Sequence, residues 1–183
     1  MRTLALAAAR SSSRRIAGFV TGTIALAAIV SAPSNGTSPA QRAMAACVAA
    51  AEQSLHITNP YFIPTRGFRR AHGAAVERGV QVQVIMPGPY HDQPIVRRAS
   101  RHTWRSLVDK NVELYEYLPT MIHAKTLVVD NAVILVGSIN CDPRSFSLNA
   151  EAGIVAHARR DVLLGPRTAL GRSQASTLAT RNP

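Results

Sequence analysis

A histidine and a lysine stand two residues apart near the middle of this chain, at His123 and Lys125. Residues 121–130 are predicted to form a strand, and side chains two residues apart on a strand point to the same face of a sheet. An imidazole and an ammonium group held together suit a phosphodiester. The imidazole can attack phosphorus or protonate a leaving oxygen, and the ammonium group can bind the charged oxygens.

Further polar groups follow the next predicted strand, which covers residues 132–136. Gly137, Ser138 and Asn140 fall at the turn after it, so a hydroxyl and an amide are expected at the same sheet edge. The amide is expected to bind phosphate oxygens together with the lysine. Gly137, which has no side chain, is expected to let the backbone approach the phosphate closely. The sequence therefore predicts a phosphoryl-transfer site at this edge.

These residues form the pattern H-x-K-x4-D-x6-G-S-x-N, with Asp130 as its acidic member. The pattern resembles the signature of the phospholipase D superfamily. The resemblance is closest to the C-terminal half of bacterial cardiolipin synthases and covers residues 45–157. Outside the pattern it rests on Asn59 to Pro64, Arg78 to Val80, Met86 to Gly88, Glu116, Tyr117, Met121 to Lys125, Asp142, Arg144, Ser145, Phe146, Asn149 and Glu151.

The resemblance implies a fold and a reaction. The fold is an α/β class structure, a phospholipase D-like α-β-α sandwich in which helices flank a mixed β-sheet. The reaction is a two-step phosphatidyl transfer that needs no metal and no other cofactor. One histidine forms a covalent phosphohistidine, and a second histidine protonates the leaving alcohol and then activates the acceptor. Water as the acceptor gives a phospholipase, and the hydroxyl of a phosphatidylglycerol gives cardiolipin.

The resemblance also implies catalytic roles within the motif. His123, Lys125 and Asp130 are the catalytic candidates, although Asp130 is expected to hold the local structure rather than to transfer a proton. The other site residues, including Gly137, are expected to have binding or supporting roles.

Lys125, Ser138 and Asn140 would bind the phosphate. Glu151 would orient the histidine across the site, and Arg144 would have a supporting role. No residue is expected to bind a metal.

Two copies of the motif build one site in this superfamily, and this chain contains one copy. None of the other histidines has a lysine two residues later. The second motif would come either from another copy of this chain in a homodimer or from a missing N-terminal half, and the similarity to C-terminal halves favours the second source. The expected substrate partner is an anionic phospholipid such as phosphatidylglycerol.

Apolar periodicity and turn residues predict a series of helices and strands. A helix is expected to begin at Pro39, with Ser38 as its N-cap, and another is expected to end at Gly79. The predicted helices cover 39–53, 67–78 and 95–110, and the predicted strands cover 54–62, 80–86, 111–117, 121–130, 132–136 and 149–156. Strands that alternate with helices and then follow one another indicate a mixed sheet with helices on both faces.

The basic excess of the chain lies mostly outside the predicted phospholipase D-like domain, residues 39–157. Five arginines and no acids precede residue 47, and five arginines and one aspartate follow residue 157. Residues 1–38 are interpreted as a signal-like, anchor-like or disordered basic segment, because Arg14 and Arg15 precede an uncharged run. Residues 158–183 are interpreted as a disordered basic tail. The predicted localisation is the bacterial inner membrane, with the side left open.

Phosphatidyl transfer on a membrane lipid is the leading functional hypothesis. A homodimeric, metal-independent nuclease or phosphodiesterase is one alternative, but the near balance of charge in residues 47–157, with eleven basic and nine acidic side chains, argues against a nucleic-acid partner. An inactive, truncated half-enzyme is the other. Tyr61 and Phe62 are interpreted as sheet packing, while the loop at His91 and Asp92 is interpreted equally as solvated or as part of substrate entry.

Overall fold

A computed structural model describes residues 18–21 and 24–158. Residues 1–17 and 22–23 of the predicted basic segment, and the predicted tail from residue 159 onward, lie outside the described residues. The strands are β1 (Gly18–Thr21), β2 (Ile24–Ser31), β3 (Ser54–Thr58), β4 (Gln81–Pro87), β5 (Glu113–Tyr117), β6 (Thr126–Val129), β7 (Val133–Gly137) and β8 (Glu151–Ala158). The helices are α1 (Pro39–Ala50), α2 (Arg66–Glu77), α3 (Pro94–Val108) and α4 (Pro143–Ser147).

The strands form one mixed sheet in the order β1-β2-β8-β7-β6-β3-β4-β5. β3, β4 and β5 are parallel neighbours joined by α2 and α3, whereas β6 pairs antiparallel with both β3 and β7. The ends of β3, β4, β5 and β7 and the starts of β6 and β8 therefore lie at the same edge of the sheet. We call this the site edge. The α/β class predicted from the sequence is confirmed.

Local sequence signals set the helix boundaries. The Ser38 hydroxyl accepts a hydrogen bond from the backbone N–H of Gln41 at 3.2 Å, as predicted for the N-cap of α1. Thr65 caps α2 in the same way. Gly79 follows α2 with φ of 89°, which a residue without a Cβ adopts without strain. Both predicted boundaries are confirmed.

The hydrophobic core lies between the sheet and a layer of helices. α1 contacts α2 and α4, and α2 contacts α3, so the four described helices form one layer. The largest fully buried core side chains include Phe62, Phe146, Leu55, Ile57, Leu107 and Leu127. Val136 and Ile154 point to the opposite face of the sheet and are exposed. Helices were predicted on both faces, and the described residues supply them on one.

The predicted start of the domain differs from the structure. Ile24–Ser31, placed by the sequence in the leading basic segment, forms β2 and pairs along its whole length with β8. Uncharged apolar residues suit a strand that is paired on both sides, and Ile29 is fully buried. The sheet therefore begins before residue 39. No helix in the described part of the chain is long and apolar enough to cross a bilayer.

Candidate active site

The motif enters the site edge just ahead of β6, not within the predicted strand. β6 begins at Thr126, which pairs with Thr58 and Val136, and the neighbouring β3 ends at Thr58. Residues 121–125 have no β-ladder partner on the β3 side, because β3 ends at Thr58. Lys125 keeps one backbone bond, since its carbonyl accepts from the Gly137 N–H at 3.3 Å. The motif is therefore more exposed than a strand interior would make it.

The imidazole of His123 lies against an aromatic side chain. The edge-on contact between His123 and Tyr61 has a ring-centroid distance of 5.6 Å, and Tyr61 also stacks on His91 at 5.8 Å. The Tyr61 hydroxyl donates to the Asp92 carboxylate at 2.5 Å. Burial and the nearby Asp92 carboxylate raise the pKa of Tyr61 to about 12, so this hydroxyl keeps its proton. Tyr61 thus connects His123 to the loop between β4 and α3.

Lys125 reaches the same group of side chains. Its Nζ donates to the carbonyl of His123 at 3.1 Å. Burial lowers the pKa of Lys125, and the carboxylates of Glu151 and Asp92 partly offset that effect. The charge on Lys125 is therefore influenced by Asp92, the residue whose carboxylate accepts the Tyr61 hydrogen bond.

Glu151 organises the turn after β7. It is 5% exposed, accepts a short hydrogen bond from the Ser138 hydroxyl, and accepts another from the Ser145 hydroxyl at 2.6 Å. Asn149 donates to it at 3.3 Å. Among the described residues Glu151 makes no hydrogen bond with His123, so its predicted role in orienting the histidine stays a prediction.

Asn140 lies at the same turn and is 7% exposed. Its backbone N–H donates to the Ser145 hydroxyl at 3.0 Å, but its side-chain Oδ1 has no hydrogen-bond partner in the described part of the chain. A buried polar atom without a partner costs about 1–3 kcal/mol. Oδ1 is an acceptor, as phosphate oxygens are, but a half-turn of the amide exchanges its O and N and would place the NH2 donor at this position. In that orientation the side chain could donate a hydrogen bond to a phosphate oxygen.

Asn59 fixes the two chain segments at the site edge to each other. Its side chain donates to the carbonyl of Ile139 and accepts from the backbone N–H groups of Tyr61 and Cys141, all at 3.2–3.3 Å. It is 1% exposed. Asn59 therefore links the segment that carries Tyr61 to the turn that carries Asn140.

Asp130 does not lie at the site edge. It follows the far end of β6, five residues from Lys125, or about 16 Å along an extended chain. Its carboxylate accepts hydrogen bonds from the backbone N–H groups of Glu52, Gln53 and Ser54 at 2.7–3.0 Å. Its place among the catalytic candidates is corrected, because its geometry is that of a clamp at the start of β3.

Gly137 and Arg144 were both predicted to support the site. A Cβ at Gly137 would lie 2.2 Å from the carbonyl oxygen of Ala152 and 2.5 Å from Gly153 Cα. The glycine is therefore required for the close approach of β7 and β8, and its predicted contact with a phosphate stays a prediction. The Arg144 side chain is exposed, and only backbone groups of this residue hydrogen-bond at the turn.

Sequence reasoning missed or left open three site residues. Tyr61 was interpreted as sheet packing, but it contacts His123 and Asp92. Phe62, interpreted in the same way, is indeed in the core. His91 and Asp92, which the sequence left open between solvent and site, lie at the site. The sequence signal for His91 and Asp92 is their position, because this polar pair follows the parallel strand β4 at the edge where the motif lies.

The family described as "Cardiolipin synthase, PLD-like domain" matches residues 44–163. The chain belongs to this family.

Curated relatives of this PLD-like domain also support the family assignment. Cardiolipin synthase A of Buchnera aphidicola from Acyrthosiphon pisum is 34% identical over 114 residues, which is 62% of this chain and 23% of that protein. Cardiolipin synthase A of Yersinia pestis is 35% identical over 127 residues, or 69% of this chain and 26% of that protein. The PLD-like domain thus spans about a quarter of the length of these curated relatives.

Solved structures share the fold. Nuc, a phospholipase D family member from Salmonella typhimurium, superposes with a TM-score of 0.62 at 20% identity, covering 76% of this chain and 87% of that one. Phosphatidylserine synthase of Haemophilus influenzae gives a TM-score of 0.62 at 18% identity, covering 84% of this chain and 37% of that one. These similarities support the PLD-like fold of the chain.

Proposed function

We propose that this chain supplies one half-site of a phosphatidyl-transfer enzyme, which acts on phospholipid through a phosphohistidine at His123. The observation that supports the proposal is the position of His123, Lys125 and Asn140, which flank strands that begin or end at the same edge of the sheet. Cationic and amide donors around an exposed imidazole suit the negative charge that develops on a phosphodiester. The cardiolipin synthase relatives support a lipid as the source of that phosphodiester.

The reaction takes place in two balanced steps. A ring nitrogen of His123 attacks phosphorus, the bond from phosphorus to the leaving alcohol oxygen breaks, and an acid delivers a proton to that oxygen. The acceptor oxygen then attacks phosphorus, the phosphorus–nitrogen bond breaks, and the same group takes up the acceptor proton. Lys125 and Asn140 bind the phosphate oxygens in both steps.

The acid–base group has to come from elsewhere. His91 is the imidazole nearest to the site, but both of its ring nitrogens are occupied. Its Nε2 donates to the Pro60 carbonyl at 3.2 Å, and its Nδ1 accepts from the backbone N–H of Gln93 at 2.9 Å. Within the described residues no second imidazole is free to face His123. We therefore infer that a second motif, from another copy of the chain or from a separate half, completes the site.

The test uses purified full-length protein, phosphatidylglycerol labelled in its phosphate, and detergent. Variants His123→Ala and His157→Ala are assayed beside the unmodified chain while the molecular mass in solution is measured. His157 is exposed at the end of β8 away from the site edge and serves as the matched control. Loss of turnover in His123→Ala alone, in a species containing two motifs, is expected. Turnover that survives this substitution, or an active monomer, would contradict the proposal, and cleavage of DNA but not lipid would favour the nuclease alternative.

A further inference from the structure

Exposed apolar side chains gather beside the candidate site. Tyr90 lies in the loop between β4 and α3 and is 59% exposed, and Ile95 in the first turn of α3 is 83% exposed. Leu118 directly follows β5 and is 38% exposed. β4 and β5 are parallel neighbours, so the segments after them lie side by side at the site edge. A Cβ on Gly88 would lie 3.1 Å from Leu118, which shows how closely the two segments pack.

The same corner of the molecule is cationic. α3 carries four arginines and no acid. Glu116 binds two of them, Arg97 at 2.8 Å and Arg101 at 3.0 Å, and therefore neutralises one of the charges. Arg98 is exposed and forms no ion pair among the described residues. A shallow groove beside it is lined by Ile63, Ile95, Arg98, Ala99, Arg101, His102 and Thr103.

This combination differs from an ordinary solvated helix face. Basic side chains with interleaved apolar and aromatic groups characterise surfaces that lie in the interface of an anionic bilayer. Each arginine near such a surface contributes attraction, and each inserted apolar group adds burial that salt does not screen. The nearby acid Asp92 accepts a hydrogen bond from the Tyr61 hydroxyl and lies 3.3 Å from the Nδ1 of His91.

We propose that Tyr90, Ile95, Leu118, Arg98 and Arg101, together called the loop rim, dock this chain on the surface of an anionic membrane. Asp92 belongs to the same loop as Tyr90 and contacts the Tyr61–His123 pair, so docking at the rim presents the site edge to the lipid headgroups. The proposal rests on the proposed function for its purpose, but its test does not require turnover.

The experiment measures the partitioning of the full chain onto vesicles of equal parts phosphatidylglycerol and phosphatidylcholine, and onto phosphatidylcholine vesicles. Ile95→Ser and Arg98→Gln remove one apolar and one cationic group from the rim. Val108→Ser is the matched control, because Val108 is 49% exposed on the same helix but lies at its opposite end. All three side chains are exposed, so the three substitutions are expected to leave the fold intact. Circular dichroism of each variant verifies that it is folded.

Ile95→Ser and Arg98→Gln are each expected to lower partitioning onto the anionic vesicles about fivefold, with Val108→Ser unchanged. High salt should abolish the deficit of Arg98→Gln and preserve that of Ile95→Ser. Equal binding by all four proteins, or an equal loss in Val108→Ser, would overturn the proposal. So would a change in lipid-free oligomeric mass in Ile95→Ser with vesicle binding intact, because the rim would then join two copies of the chain.

Measurements of lipid turnover distinguish this inference from the proposed function. If both hold, the ratio of turnover on vesicles to turnover of monomeric dihexanoyl phosphatidylglycerol falls in Ile95→Ser. Rim-dependent binding without turnover of either lipid would contradict the proposed function and leave the docking surface supported.

Discussion

His72 is a histidine that the catalytic account does not use. It is fully buried, its Nδ1 donates to the carbonyl of Phe68 at 2.6 Å, and its Nε2 has no partner among the described residues. Phe62 and Phe68 pack around the ring. Burial lowers the pKa of His72, and the Phe68 carbonyl offsets part of that effect. The ring is therefore neutral in the folded protein at neutral pH.

This lowered pKa predicts an acid-sensitive fold. Because the folded pKa lies below the ordinary value of about 6.5, the unfolded state binds a proton first as pH falls. Stability is full above that value and decreases as pH drops below it. His72→Gln keeps a donor for Phe68 but cannot ionise, so its unfolding free energy should change less between about pH 7.5 and about pH 5.

The control for this prediction is His102→Gln, which alters an exposed histidine. Denaturant unfolding at the two pH values should give it the same pH dependence as the unmodified chain. If His72→Gln also keeps the full dependence, ionisation of His72 does not contribute to acid sensitivity.

At the residue scale, the motif was predictable and its surroundings were not. Spacing predicted that His123, Lys125 and Asn140 lie at one sheet edge, because they flank the short strands β6 and β7. Tyr61 and Asp92 act through contacts between residues about 30 to 60 positions apart, and local patterns contain no information about such pairs. The packing role of Gly137 depends on β8, which also could not be deduced from the motif.

At the scale of elements, Asp130 joins the end of β6 to the start of β3. Its carboxylate holds three consecutive backbone N–H groups, which Asp130→Ala would leave without an acceptor. We expect this substitution to lower the unfolding free energy by about 1.5–3 kcal/mol. Asp109→Ala, at an exposed aspartate after α3, is the control.

Denaturant unfolding of both variants checks the effect on stability. A loss no larger in Asp130→Ala than in Asp109→Ala would show that the clamp contributes little.

The pairing of β7 with β8 gives a second prediction for elements. Gly137→Ala places a Cβ against the backbone of β8, and rigid backbone cannot move aside as a side chain can. We expect a loss of about 1–3 kcal/mol in unfolding free energy. Gly67→Ala is the matched control, because a Cβ there meets only the Thr65 hydroxyl at 3.9 Å, and it should stabilise the chain by about 0.4–1 kcal/mol. Similar thermal midpoints for the two variants would contradict the close approach of the strands.

Helices and strands were predicted where local signals are strong. Ser38 with Pro39 and Gly79 marked helix ends correctly, because caps depend on one or two residues. β6 was predicted too long, since its start is set by where β3 ends and not by its own sequence. β2 was missed because its apolar residues also suit a signal peptide, and only pairing with β8 distinguishes the two.

At the scale of the whole molecule, two features are incomplete within the described residues. The chain carries one motif, and helices cover the sheet on one face. The sheet face opposite the helices exposes Val136 and Ile154, and the site edge lacks a second free imidazole among the described residues. The sequence predicts that a second motif completes the site, and this stays a prediction. The sequence could not predict the exposed sheet face, because which side of a sheet a helix covers depends on the handedness and order of the connections.

The account depends on a covalent bond between His123 and phosphorus. The most direct measurement is to mix the full chain with phosphate-labelled phosphatidylglycerol, quench with denaturant, and follow label bound to the protein. The unmodified chain and His157→Ala should carry label that is lost in acid and kept in alkali, as a phosphorus–nitrogen bond requires, and His123→Ala should carry none. Label that persists in His123→Ala would place the nucleophile elsewhere and contradict the account.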